Sequence, residues 1–381
     1  MKNKILFVRT APYEFNPYTY NVQGIGMGKA FVKQGYDFDF LYLTKHPAEA
    51  KTVYEENGHS LRVLSRNRMR FFRTGLCSEI CTKEFLDQYD YIISCEYDQL
   101  LTYQLSKYSD NVVMYSGPYY NLFLLPFISP IYDAIYTRKI NRNVKYKFVK
   151  SELAKEFLSK KGYDNIHVLG VGLDTDKFNE QPQKSKKTAE VEKYMTDSQC
   201  MLYVGALSKR KNFDFLLKLF KQARAEYPGL KLVAVGKGKE KYVDQCLKQL
   251  TDEERKNVFL PGQIDNSQLR YIYPLAKIFA LPSLQEIFGM VLMEAMYFGA
   301  PVITSRNGGS VTLINNGVNG SIVNEFRVED WMEKIRQYMD DEKHRTMIAE
   351  NARETIKESF NWMTLTRKMI NIMDGTYNEQ H

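Results

Sequence analysis

The stretch IFALPSLQEIFGMVLMEAMYFGAPVITSR, residues 278–306, decides the fold. It opens on a short apolar run, IFALPS (278–283), which reads as a buried strand closed by Pro282 and Ser283. After a loop, Gly289 begins a helical pattern, with Phe288, Val291, Leu292, Ala295 and Met296 as its apolar residues. PVITSR (301–306) then starts another strand. Strand, helix and strand in this order make the repeating unit of a parallel sheet. Two carboxylates, Glu286 and Glu294, stand in this mostly apolar stretch, and packing alone gives no reason for both.

The same alternation extends over the chain. ILFVRT (5–10), FDFLYL (38–43), YIISCE (91–96), NVVMYS (111–116), KYKFVK (145–150) and IHVLGV (166–171) form a first series of strands. CMLYVG (200–205), LKLVAVG (230–236), NVFLPG (257–262), IFALPS and PVITSR form a second. Such near-continuous apolar runs, separated by helical patterns, predict parallel sheets covered on both faces. Between the series lies a polar segment, 178–199, which reads as a linker. The expected class is therefore α/β: two Rossmann-like, doubly wound domains facing a central cleft, with ligands at the carboxyl ends of the strands. The expected boundaries are 1–177, linker 178–199, 200–358, and a terminal segment 359–381.

Composition narrows the function. The 381 residues are 44% hydrophobic and 26% charged, as in a globular protein of two cores. A formal charge of +8 suits a phosphorylated ligand, a nucleic acid or an anionic membrane surface. The five cysteines are odd in number and scattered; Cys77 and Cys81 have no second pair, so neither a disulfide framework nor a zinc site is expected. The N-terminal MKNKILFVRT is too short in apolar residues for a signal peptide, and NLFLLPFISPIYDAIY (121–136), interrupted by Pro126 and Pro130, falls short of a span. A soluble or peripheral cytoplasmic protein is expected.

In the first domain, Gly24, Gly26 and Gly28 precede a helical run and read either as a ligand-approaching turn or as a tight strand-to-helix connection. Their spacing is not the dinucleotide fingerprint, and Thr44, Lys45 and His46 stand where an acidic residue would bind ribose, so a nicotinamide cofactor is not expected. RVLSRNRMRFFR (62–73) interleaves arginines with apolar residues; it reads as a solvated helical face or as a contact for anionic lipid head groups or a phosphorylated acceptor through Arg62–Arg73. A second basic series runs from Arg138 to Lys150. Neither belongs to a nucleic-acid-binding motif.

The second domain carries the chemistry. A strand ends at Gly205, and Lys209, Arg210 and Lys211 follow before a helix striped by Phe213, Leu216, Leu217 and Phe220. Cations there are well placed to hold a diphosphate. Gly236 and Gly238 mark another tight strand exit. Beyond Glu286, the amides of Ile287, Phe288, Gly289 and Met290 lie at a helix N-terminus, where an anion needs no side chain. Glu294 lies roughly 7–8 Å further along that helix. A ligand anionic in its middle and polyhydroxylated at both ends fits this order.

The pattern E-x-F-G-M-V-L-M-E-A-M-x-x-G-A-P-V-I resembles the signature of glycosyltransferase family 4, GT-B-fold enzymes with retaining members. LGVGLDTDKF (169–178), NGGSVTLINNGVNGSIV (307–323) and FNWMTLTRKMINIMDGTY (360–377) resemble its other landmarks, in order. The resemblance implies that Glu286 contacts the donor sugar, that the backbone at Phe288–Gly289–Met290 and neighbouring Val291 holds the diphosphate, and that Glu294 binds the ribose. It implies phosphate binding by Lys211 with Arg210, and a terminal helix crossing back to the first domain. A UDP-sugar donor and a glycan or lipid-linked glycan acceptor are its commonest reading, with neither metal nor cofactor. Three positions depart from the pattern: Ala206 replaces an arginine, Thr312 a glutamate, and VVMYSGPYYN lacks a histidine; Ser116, Gly117 and Tyr119, with Gly24 and Gly26, are the acceptor-side candidates.

In such an enzyme the leaving diphosphate takes the acceptor's proton, and the protein stabilises the growing charge through Arg210, Lys211 and the helix amides. A glycoside hydrolase would need both carboxylates flanking one bond; here they flank an anion seat. A sugar-nucleotide epimerase of the same fold and a non-catalytic scaffold are the remaining alternatives.

Overall fold

A computed structural model of the chain describes residues 3–376, apart from 12, 21, 72, 73, 124, 126 and 180. By contact density it divides into two units, 1–174 with 361–381, and 175–360.

The first unit holds β1 (Lys4–Arg9), β2 (Asp37–Thr44), β3 (Lys51–Glu56), β4 (His59–Asn67), β5 (Met69–Phe71), β6 (Thr74–Leu76), β7 (Tyr91–Cys95), β8 (Val112–Ser116), β9 (Tyr146–Val149) and β10 (Ile166–Val168). Eight of them form one sheet in the order β10-β9-β8-β7-β1-β2-β4-β3, parallel except for the β3–β4 edge. β5 and β6 pair separately. The second unit holds β11 (Gln199–Val204), β12 (Leu230–Val235), β13 (Val258–Gly262), β14 (Ile278–Leu281), β15 (Val302–Ser305) and β16 (Ser321–Val323). Their order is β13-β12-β11-β14-β15-β16, parallel throughout. Helix Phe213–Glu226 shows how the faces are covered: seven of its residues, from Phe213 to Ala223, are buried, each large one contributing about 1.5–3 kcal/mol.

Both sheets reverse their winding once. In the second, the chain runs outward from β11 to β12 and β13, then returns to lay β14 on the other side of β11. In the first, β1 is flanked by β2 and β7 in the same way. Loops leaving such a strand pair diverge, and the gap between them is where α/β sheets bind ligands.

Several expectations need correction. The segment 178–199 is not a free linker. Ser185 caps helix Lys186–Thr196, and Thr188, Val191 and Met195, spaced three and four apart, bury one stripe of it in the second unit. Gln268 fixes its approach, accepting from the Ser185 amide (3.0 Å) and donating to the Gln183 carbonyl (3.0 Å).

Gly24 and Gly26 are not a turn open to ligand. Both lie inside helix Gln23–Lys33, buried against aromatic rings. A Cβ on Gly24 would stand 2.3 Å from the Phe40 ring, and one on Gly26 2.6 Å from Trp362. They let the helix approach the sheet and the terminal helix, Trp362–Met373, which belongs to this unit. Gln34 to Thr366 (2.6 Å) and Tyr91 to Asp374 (2.8 Å) tie that helix down.

The basic stretch 62–73 is not a helical face either. Most of it is β4 and β5, and Phe72 and Arg73 lie outside the described residues. Three of its arginines pair with the protein's own carboxylates, Arg62 with Asp39, Arg66 with Glu79 (3.8 Å) and Arg68 with Glu14 (3.0 Å), and Arg70 lies over the Tyr13 ring (5.6 Å). Asp39 is 1% exposed and accepts from Arg62 (2.8 and 2.7 Å) and from the Tyr89 hydroxyl (2.8 Å), with Lys4 at 3.4 Å. Burial pushes this carboxyl up, but the Arg62 and Tyr89 hydrogen bonds and the two cations outweigh it and hold the pKa below its usual 3.8. A depressed carboxyl contributes stability above its unfolded pKa and loses it as pH falls through its folded one. The stability gap between wild type and Asp39→Asn, from urea midpoints, should therefore narrow below about pH 4. A gap constant with pH would contradict the pairing.

Candidate active site

The pair β11–β14 continues into two loops that meet at the reversal point of the second sheet. Past β11, the strand exits stay paired: Gly205 donates to the Val235 carbonyl and Leu207 to that of Lys237, both at 2.9 Å. Gly236 has φ of 151°, and a Cβ there would stand 1.9 Å from the Gly205 carbonyl oxygen. No side chain fits. Gly205 and Gly236 thus form a bare-backbone floor.

From this floor the loop climbs to Arg210 and Lys211 and ends at Asn212, which takes a left-handed conformation (φ 56°) before helix Phe213–Glu226. The loop after β14 comes alongside. Leu284 donates to the Arg210 carbonyl (3.0 Å), and the Arg210 guanidinium donates to the Gln285 carbonyl (2.9 Å). Lys211 is 8% exposed, and its ammonium hydrogen-bonds the Glu286 carboxylate; Arg210 lies 3.8 Å from the same oxygen. The structure therefore joins three of the expected residues in one cluster, with Glu286 turned toward the two cations.

Next to Glu286, Ile287 is half-buried, Phe288 is buried, and Gly289 (φ 83°) caps helix Met290–Tyr297 in the left-handed region that glycine tolerates best. The first amides of that helix, from Met290 and Val291 on, carry its positive end. The seat is braced from behind. Gly308 donates to the Glu286 carbonyl (3.2 Å), and Gly309 presses so close that a Cβ would stand 1.5 Å from the Phe288 carbonyl oxygen. Asn307, fully buried, anchors this brace: its amide donates to the Ser310 hydroxyl (2.8 Å), its side-chain oxygen accepts from the Ser310 amide (3.0 Å), and its side-chain NH2 donates to the Ser305 carbonyl (2.8 Å). Thr312 donates to the Gly308 carbonyl (2.9 Å), so it holds the brace.

Glu294 lies deeper, 1% exposed, and accepts from the Tyr273 hydroxyl at 3.2 Å. It does not share the Lys211–Glu286 contact. Among the described residues, no group of three His, Cys, Asp or Glu side chains is placed to hold a metal ion.

The reversal point of the first sheet gathers a second cluster. Ser116 is fully buried at the end of β8, followed by Gly117; Tyr119 is half-buried, its ring edge-on to Tyr120. The first two enclose a residue that strand-by-strand reading passed over. Glu96, just past β7 and left-handed (φ 68°), accepts from the Gly117 amide (2.9 Å), the Ser116 hydroxyl (3.3 Å) and Lys150 (3.3 Å). Arg9, at the end of β1, stacks on Phe15 at 4.1 Å; burial lowers its pKa, against the fields of Cys95 and Glu96. The signal was present in the sequence. FVRT, ISCE and KFVK each put a charge where an apolar strand run ends. A left-handed, non-glycine carboxylate held by three donors marks a site that stores strain.

Two Rossmann-like units, each with polar chemistry at its sheet reversal, define a GT-B fold. The solved structure of HepE from Anabaena, in complex with UDP, has the same fold: TM-score 0.74 over 98% of this chain and 100% of that one, at 17% identity. Residues 184–355 match the family described as glycosyl transferases group 1. D-inositol 3-phosphate glycosyltransferase of Mycolicibacterium smegmatis is 31% identical over 182 residues, covering 46% of this chain and 40% of that one. Capsular polysaccharide biosynthesis glycosyltransferase CapM of Staphylococcus aureus is 29% identical over 247 residues, 64% and 62% of the two chains. The aligned region spans less than half the length of the first curated relatives it matches, 45% and 40%.

Proposed function

We propose that the chain is a retaining, metal-independent and cofactor-free glycosyltransferase. It moves a sugar from a UDP-sugar to a glycan or lipid-linked glycan acceptor at the cytoplasmic face of a membrane, in cell-surface polysaccharide or glycoconjugate synthesis. The observation that carries the reading is the Lys211–Glu286 pair beside the braced seat at Gly289. The complexes of HepE with UDP and with UDP-glucose support the donor class, and the capsular-polysaccharide name of CapM supports the acceptor class.

In this reading the diphosphate lies over the amides at Phe288–Val291, with Lys211 and Arg210 against its oxygens. Lys211 exchanges its hydrogen bond to Glu286 for a phosphate oxygen. Glu286 is thereby released to accept hydrogen bonds from the sugar hydroxyls, so one ligand satisfies both partners of the pair. The ribose reaches Glu294, which Tyr273 orients. As the bond from the anomeric carbon to the diphosphate oxygen breaks, charge grows on the leaving group next to these preset donors. The acceptor hydroxyl bonds to the anomeric carbon on the same face and passes its proton to the departing phosphate. On the first unit, the Ser116–Tyr119 turn with Glu96, Lys150 and Arg9 offers donors and acceptors for the acceptor's hydroxyls.

A panel of nucleotide sugars in thermal shift tests the donor. A ligand at 100 times its Kd raises stability by about 2.7 kcal/mol, several degrees in Tm. UDP-sugars should raise Tm, and Glu286→Ala should abolish the excess of UDP-sugar over UDP; a flat panel would end the donor assignment. Incubation without acceptor separates the epimerase, which would return an epimerised nucleotide sugar. A scaffold would leave Glu286→Ala silent in cells.

A further inference from the structure

Residues 128–143 form one continuous helical segment, Ile128–Tyr132, Asp133–Thr137 with a π turn, and Arg138–Asn143. Its inner side is anchored: Tyr132, Thr137 and Ile140 are buried. Its outer side divides in two. The first half exposes Phe127 (61%), Ile131 (53%) and Ile135 (44%), four residues apart and so on one side of the helix. The second half exposes Arg138, Lys139 and Arg142. Among the described residues of 127–142, no exposed one is acidic, and the one carboxylate, Asp133, is tied to Lys161 and Thr137.

The basic half borders a depression of about 390 Å³. Lys107, Lys139 and Arg142 line it with a single carboxylate, Asp110, and Lys139 and Lys107 both lie over the Tyr103 ring, at 5.7 and 5.9 Å. A cationic recess continuous with an exposed apolar stripe matches one partner chemistry: a surface that is anionic in its head groups and apolar just beneath. Aqueous anions would leave Phe127, Ile131 and Ile135 unmatched, and an apolar protein surface would leave the three cations unmatched.

We infer that residues 127–142 are a membrane-docking face, with Phe127, Ile131 and Ile135 entering the head-group boundary of an anionic bilayer and Lys107, Lys139 and Arg142 holding lipid phosphates. No helix among the described residues is long and apolar enough to cross a membrane, so this is attachment in the interfacial plane. The face does not include Arg62, Arg66 or Arg68, which are already paired within the protein. It does not depend on the transferase reading, because none of its residues belongs to the donor or acceptor clusters.

Flotation of the full chain tests it, using vesicles of phosphatidylcholine with phosphatidylglycerol and vesicles of phosphatidylcholine alone, at low and high salt. Wild type should float with the anionic vesicles at low salt and largely release at high salt. The triple variant Phe127→Ser/Ile131→Ser/Ile135→Ser and the double variant Lys139→Glu/Arg142→Glu should each lower partitioning at least tenfold. All substituted side chains are exposed, so melting temperature and nucleotide-sugar binding should not move. Wild type remaining unbound, or both variants floating like wild type, would overturn the inference. So would a wild-type dimer in gel filtration that the triple variant converts to monomer without changing flotation, because the stripe would then be a contact between copies.

Discussion

Replacing Lys211 with alanine is expected to lower turnover by about 10²–10³-fold, the loss typical of one preorganised donor facing developing charge. The size follows from where the ammonium sits. It is 8% exposed at the reversal point of the second sheet, so water screens it little and its position is set before any ligand arrives. Arg210 cannot fully replace it, because its side chain is 54% exposed and its guanidinium is also engaged by the Gln285 carbonyl. Loss of the ammonium also leaves Glu286 with a carboxylate facing the donor phosphates, a like-charge contact that should weaken UDP-sugar binding in parallel. Circular dichroism should be unchanged, since strand β11 and helix Phe213–Glu226 do not need this side chain. Turnover near wild type would sink the assignment of the phosphate site.

The second large effect is expected at Gly309, which abuts the proposed phosphate seat through the Phe288 backbone. In Gly309→Ala the new Cβ would overlap the Phe288 carbonyl oxygen, a backbone atom that cannot rotate away. Either the 286–289 loop moves outward or the Gly308–Gly309 turn does; relief of such overpacking costs about 1–3 kcal/mol. In the first case the seat opens and UDP-sugar affinity falls at least tenfold. Gly317→Ala is the control: a Cβ there meets nothing within 4 Å, so only its left-handed φ of 80° is strained. Gly317→Ala should lower Tm modestly and leave donor affinity alone. Equal donor affinity in the two variants would show that the seat is not braced by Gly309.

Much of the fold was legible because parallel strands buried on both faces leave unbroken apolar runs. Each of the eleven runs read from the sequence overlaps one strand, with ends that coincide or differ by at most three residues. The edge pair β3–β4 was not legible. β4 alternates Arg62 and Arg66 with buried Val63 and Leu64, and charges at that density hide a strand unless their partners, Asp39 and Glu79, are known. The loops after β11, β12 and β14 were legible because backbone chemistry demands glycine, and glycines appear in sequence as themselves. Pairing was not, since nothing local shows that Lys211 meets Glu286 across seventy-five positions. The same holds for Glu96, whose three donors come from the ends of two neighbouring strands.

The terminal helix has a consequence for the order in which the molecule is made. The first unit is written in two pieces, 1–174 and 361–381, with the whole of the second between them. Gly26 and Gly172 each lie within 2.6 Å, measured from an added Cβ, of the space that Trp362 fills. During synthesis that indole arrives after every residue of the second unit. The middle of the chain can thus complete its sheet and the loops above it while the beginning still waits for its last helix. The usual N-terminal-first sequence of domain folding is then inverted.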